Sequence, residues 1–361
     1  MPHARTLAMI FGIGCAATAA FAQANDQPAR PKFQEDGTVG VPAFELPVSV
    51  FMSEEAKAIQ RMKAQDPGIR SSVMPRDIQA TRTFMDARLE PAVKAALGSY
   101  AVRVEEGSVA GIPVRVVTPA DGKFDPKRVL INLHGGAFAH CWGACSLIES
   151  APIAALGGYK VVSVNYRMAP EYRHPAALED ATKVYAELIK QFQPKHIGIF
   201  GCSAGGALTA QLAAWLPAHK LPQAGAVGIF GAGGVRFRGG DSAYLSASVD
   251  GQLPAPAKDG TQPRDITFGY FDNSDMSARD VSPALYLDEL RKYPPTLLIT
   301  GTRAFDMSPA IFTNSQLIKA GVETDLIVAD GMNHCYIMTP SLPEAKDAYA
   351  AIVGFFKKHL N

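Results

Sequence analysis

The sequence predicts an α/β protein: a mostly parallel central sheet with helices on both faces and a helical cap. Three observations carry this prediction. From about Tyr100 onward, short apolar runs rich in β-branched residues alternate with helix-period segments, the rhythm of repeated strand–helix units. These runs are continuously apolar rather than alternating, as strands buried on both faces require. The chain has 361 residues, of which 47% are hydrophobic and 19% charged, enough for a large core.

Residues 1–22 have the form of a secretory signal. Arg5 supplies a positive start, Leu7 to Ala20 is apolar and small, and Ala20-Phe21-Ala22 is a small-x-small site before the polar Gln23. The apolar stretch is short for a membrane span, so cleavage after Ala22 and export to a periplasmic or extracellular space are expected, with no stable span in the mature chain. A lipid-anchored Cys15 is the weaker alternative, because Gly12-Ile13-Gly14 fits that processing poorly. Residues 23–98 are charged and helical in places, with Ser53 placed to cap a helix over Glu54 to Ala64. They are expected to form a cap segment over the strand ends, ahead of a main domain at 99–361.

Within that domain the predicted strands are Ile112–Val117, Val129–Leu133, Val161–Val164, Ile197–Phe200, Ala226–Phe230, Thr296–Thr300 and Thr324–Val328. Helical patterns fall near Ser146–Leu156, Pro175–Gln191, Ala204–Leu216, Pro309–Ala320 and Pro343–His359. Residues 239–282 break the rhythm. They are rich in Gly, Pro, Asp and Ser around an apolar Phe268-Gly269-Tyr270-Phe271, and form a candidate cap insertion above the strand ends, where such sheets bind ligands.

The formal net charge of +1, without any basic block, argues against nucleic acid as a partner. No His/Cys cluster has zinc-like spacing, and no metal or organic cofactor is implied. After cleavage four cysteines remain: Cys141, Cys145, Cys202 and Cys335. They are expected to be small buried residues, although an oxidising compartment permits disulfides and Cys141 lies near enough to Cys145 to pair. Oligomeric state is left open, a homodimer being compatible with the chain.

The chemistry centres on a G-x-S-x-G run, Gly201 to Gly205, between an apolar strand pattern and a helix pattern. A serine on so tight a turn needs small neighbours, and the following helix directs backbone N–H groups toward whatever Ser203 attacks. Its hydroxyl needs a base and an orienting acid. His334, in Asp330-Gly331-Met332-Asn333-His334, follows the last strand and precedes the last helix, so it stands at the same sheet edge. An oxyanion site is expected at His134-Gly135-Gly136-Ala137-Phe138, directly after the strand VLINL.

HGGAF, the run Val164-Asn165-Tyr166-Arg167-Met168-Ala169-Pro170-Glu171, GCSAGG and GMNH occur in one order. Together they resemble the hormone-sensitive-lipase-like branch of the α/β-hydrolases, a branch of carboxylesterases, from roughly Val129 to the C-terminus. The resemblance implies an α/β-hydrolase fold, Ser203 as nucleophile, His334 as base, and oxyanion amides from Gly136, Ala137 and Ala204, with Gly135 shaping the turn. It also implies that His134 braces the oxyanion loop and that Tyr166 to Glu171 fixes loops beneath the site.

Three positions depart from the family pattern. Ala137 stands for a glycine, which leaves its backbone donor intact. Cys202 stands for the aspartate before the nucleophile. A gapless match places Ala304 where the family has its catalytic aspartate, and the acidic side chain nearby is Asp306. Either the loop is routed so that Asp306 reaches His334, with Asp330 a more distant alternative, or the triad lacks its usual acid. The sequence thus predicts hydrolysis of small acyl esters through a covalent acyl-enzyme. The rivals are a catalytically weakened ligand-binding protein and an amide or lactone hydrolase at the same site.

Overall fold

The computed structural model describes residues 30–65, 75–236 and 239–361. The expected signal, residues 1–22 with Cys15, lies outside the described residues. The chain divides at Pro47. Before it, two short strands, β1 (Lys32–Phe33) and β2 (Val39–Gly40), pair antiparallel. From Val48 to Asn361 the chain forms one compact unit.

That unit begins with helices α1 (Glu54–Gln65) and α2 (Ile78–Ser99). The expected cap is in place, since Ser53 Oγ accepts the Ala56 N–H at 3.1 Å. Then come β3 (Val102–Val109), β4 (Ile112–Pro119), β5 (Val129–Leu133), α3 (Trp142–Gly157), β6 (Lys160–Val164), α4 (Ala176–Leu188), β7 (Ile197–Cys202), α5 (Ala204–Ala218) and β8 (Ala226–Phe230). After α6 (Asp241–Val249) and the short α7 (Leu287–Leu290) follow β9 (Thr296–Gly301), α8 (Met307–Ala320), β10 (Thr324–Ala329) and α9 (Pro343–His359).

β3 to β10 form one eight-stranded sheet in the order β10-β9-β8-β7-β5-β6-β4-β3. β4 pairs antiparallel with both β3 and β6, and every other pairing is parallel. The continuous apolar runs do what their composition dictates. All residues of β5, β7, β8 and β9 are buried. One core cluster sits on each face, one with Ile131, Ile199 and Leu208, the other with Leu130, Phe200 and Phe356.

The chain leaves β5 toward β6 on one side and later returns to place β7 on the other. Such a reversal opens a crevice at the C-terminal ends of the strands. α2 and the segment after α6 bring Phe84, Met85, Leu89, Leu253 and Ile266 to a cavity of about 620 Å³ above those ends. No helix among the described residues is long and apolar enough to cross a membrane.

Candidate active site

The turn after β7 is set by glycine. A Cβ at Gly201 would lie 2.1 Å from the Leu133 carbonyl oxygen, and one at Gly205 only 1.7 Å from it. The end of β5 therefore packs directly against the backbone on both sides of the turn, where no side chain fits. Ser203 takes φ +61° and ψ −123°, an uncommon backbone conformation that lifts its side chain off the sheet edge into the cavity. It is held there by its N–H, which donates to the Phe230 oxygen at 2.8 Å.

His334 stands on the loop after β10, and its Nε2 lies 3.0 Å from Ser203 Oγ. Its Nδ1 lies 2.5 Å from Asp306 Oδ1. Asp306 is fully buried just before α8, and its Oδ2 accepts the Thr300 hydroxyl at 2.6 Å. The Phe305 ring packs 4.2 Å from the imidazole. Ala304, at the gapless position, is buried and donates its N–H to Gly301. The loop thus turns so that the acid arrives two residues later. Asp330 is turned elsewhere, accepting from Ser49 and Thr302 hydroxyls.

The glycine loop after β5 lies across from Ser203. Gly136 and Ala137 have φ +115° and +54° and line the cavity beside the serine. Ala204 opens α5, where the first N–H groups have no partner within the helix. Gly135 differs from these three. Its N–H donates to Glu149 Oε1 at 2.8 Å, so it shapes the loop rather than offering a donor to the cleft. His134 sits beneath, fully buried. Its Nδ1 is 2.7 Å from the Gly135 oxygen, its ring stacks on Tyr166, and the Tyr166 hydroxyl donates to its carbonyl at 2.6 Å. Burial pushes the His134 pKa down to about 4, so a neutral ring braces the loop.

A family model described as the alpha/beta hydrolase fold matches residues 130–338. The chain belongs to the α/β-hydrolase family. It is similar to a versiconal hemiacetal acetate esterase of Dothistroma septosporum, 30% identical over 285 residues that span 75% of this chain and 84% of that one. It is also similar to the carboxylesterase/phospholipase LipF of Mycobacterium tuberculosis, 29% identical over 247 residues, 67% of this chain and 64% of that one. Among solved structures, an esterase named E25 superposes with a TM-score of 0.76 at 29% identity, over 89% of this chain and 99% of that one.

Three features of this α/β-hydrolase site were not expected from its sequence. Glu149, on α3, is buried between the glycine loop and the turn that carries Ser203. Besides the Gly135 amide it accepts Asn132 Nδ2 at 2.9 Å and the Cys202 N–H at 3.2 Å. Nothing in an apolar helix pattern marks it out, except that a lone carboxylate there needs partners. Thr300, which pins Asp306, is the second. The cysteines are the third: instead of staying unpaired they form two bridges, Cys141–Cys145, the pairing that the sequence left open, and Cys202–Cys335, which it did not suggest.

Proposed function

We propose that this carboxylic ester hydrolase cleaves small acyl esters through a covalent acyl-enzyme on Ser203. The observation that carries the proposal is the unbroken hydrogen-bonded series Asp306, His334, Ser203, whose last two members line one cavity. Ser203 Oγ attacks the ester carbonyl carbon while His334 Nε2 takes its proton. The oxyanion is met by the amides of Gly136, Ala137 and Ala204. His334 then protonates the departing alcohol. In the second half, His334 takes a proton from water, whose oxygen attacks the acyl carbon, and the acid leaves as the proton returns to Ser203 Oγ. Asp306 holds the Nδ1–H, which keeps Nε2 free to act as base.

The acetate ester named for the Dothistroma relative supports a small acyl group. A weakened binder was favoured by Ala304, and Asp306 beside His334 removes that ground. Two disulfides accord with an oxidising compartment, so export remains part of the proposal.

The test is labelling of the folded enzyme with a serine-directed phosphonate, followed by peptide mass analysis. One label on Ser203, with matching loss of p-nitrophenyl acetate hydrolysis, is expected. Folded Ser203→Ala should lose turnover by several orders of magnitude and take up no label. A folded Ser203→Ala enzyme that retains its turnover would overturn the mechanism. A matched ester and amide pair, compared by kcat/KM, separates esterase from amidase chemistry.

A further inference from the structure

The proposed nucleophile and base each have a half-cystine as a chain neighbour. Cys202 precedes Ser203 at the end of β7, and Cys335 follows His334. Their bridge joins segments 133 residues apart, with Cα atoms 6.3 Å from each other. The two segments are not adjacent in the sheet. β10, which leads to His334, is an edge strand, and β9 and β8 stand between it and β7.

The bridge passes over the end of β8. A Cβ built on Gly231, just after that strand, would lie 2.6 Å from Cys335 Sγ, 3.2 Å from Cys202 Sγ and 3.3 Å from His334 Cε1. Gly231 has φ +56°, so both its backbone and its missing side chain leave room for sulfur and imidazole together. Cys202 is fully buried, whereas Cys335 lines the cavity.

We propose that the Cys202–Cys335 disulfide is a positioning element for hydrolysis, tying the nucleophile turn to the base loop and holding Ser203 Oγ in register with His334 Nε2. The proposal rests on the assignment of Ser203 and His334 as nucleophile and base. Positioning at this contact is expensive to lose, because a displacement of about 1 Å can cost about 100-fold in rate. The disulfide joins the two loops directly, where otherwise they connect through β8, β9 and β10 and side-chain hydrogen bonds.

A dithiol undoes the link. Its thiolate attacks Cys335 Sγ from the cavity, forming a mixed disulfide and releasing Cys202 Sγ. The second thiolate of the reagent then displaces Cys335 Sγ. The reagent leaves as a cyclic disulfide, and two electrons and two protons remain on the cysteines.

The test uses the whole enzyme. The oxidised protein is reduced with dithiothreitol, freed of reagent without air, and assayed on p-nitrophenyl acetate, with thiol titration and far-ultraviolet circular dichroism on the same sample. The expected result is a kcat lower by about tenfold or more, a KM changed by less than about twofold, unchanged ellipticity and recovery on reoxidation. The Cys202→Ser/Cys335→Ser enzyme should match the reduced state and lose nothing further on reduction. That second arm separates this bridge from Cys141–Cys145, which also lines the cavity.

The proposal is overturned if reduced enzyme with both bridges opened keeps its kcat, if the double variant keeps the kcat of the oxidised wild type, or if kcat falls only in step with ellipticity. Failure of the nucleophile assignment shows separately, as undiminished turnover in oxidised Ser203→Ala.

Discussion

The Asp306 carboxylate has both oxygens engaged, Oδ1 by His334 Nδ1 and Oδ2 by Thr300 Oγ1. A buried carboxylate held at two points fixes the imidazole's tautomer as well as its direction. An amide in its place would keep the shape but could turn its NH₂ toward Nδ1 and favour the wrong tautomer. Asp306→Asn is therefore expected to fold and to lose about 10⁴-fold in kcat, with KM little changed. A loss under about tenfold, measured by steady-state kinetics on the folded variant, would remove Asp306 from the mechanism. Ser203 and His334 were legible in the sequence because each sits in a short motif fixed by a strand end. Asp306 was legible only as a candidate, since the path of the loop after β9 decides whether residue 304 or 306 faces His334. The link between Cys202 and Cys335 left no trace in local spacing, because pairing over that distance depends on the fold alone.

The element above the site is α2, and its grip on the cleft runs through Arg82. The guanidinium donates to the Ala139 oxygen at 2.9 Å and the Ala169 oxygen at 3.0 Å, and forms a two-point pair with Glu171 at 2.8 Å for each contact. Ala139 directly follows the glycine loop, and the Ala169 N–H donates to the Phe138 oxygen. One side chain thus straps α2 to the loop proposed to offer the oxyanion amides. Arg82→Ala leaves two carbonyls without these donors and should lower stability by about 1–3 kcal/mol in urea unfolding, with a fall in kcat larger than any rise in KM. A variant destabilised but with unchanged kcat would show that the strap serves stability alone. Arg82→Lys should recover only part, since an ammonium cannot reproduce the fork.

This helix was among the less legible elements. Over its 22 residues only Thr81 and Ala96 are buried, and Pro91 interrupts the pattern, so no apolar stripe announces it. β3 was missed for a related reason. Its interior residues are exposed, and pairing with β4 rather than burial makes it a strand. Where burial is complete the sequence spoke plainly: β5 and β8 have the bounds that their apolar runs predict.

At the scale of the whole molecule, the site stores an unfavourable burial that global stability should register. Burial pushes the Glu149 carboxyl up to about 8 from an ordinary 4.5, outweighing the three hydrogen bonds that favour its charged form. Between those values the unfolded chain has lost this proton while the folded chain keeps it. Stability from this group is therefore complete below about pH 4.5 and declines as pH rises through about 8. The buried rings of His134 and His140 act in the opposite sense, because their pKa values are pushed down to about 4 and the unfolded chain gains protons as pH falls below 6.5. A difference measurement cancels those rings. Glu149→Gln cannot ionise, and its NH₂ opposes donors already present, so it should be less stable than the wild type at pH 5. The gap in urea midpoint should then narrow steadily toward pH 8. A gap that stays constant over that range, with equal dependence of stability on urea concentration for both proteins, would mean that Glu149 is charged throughout and that its three donors outweigh its burial.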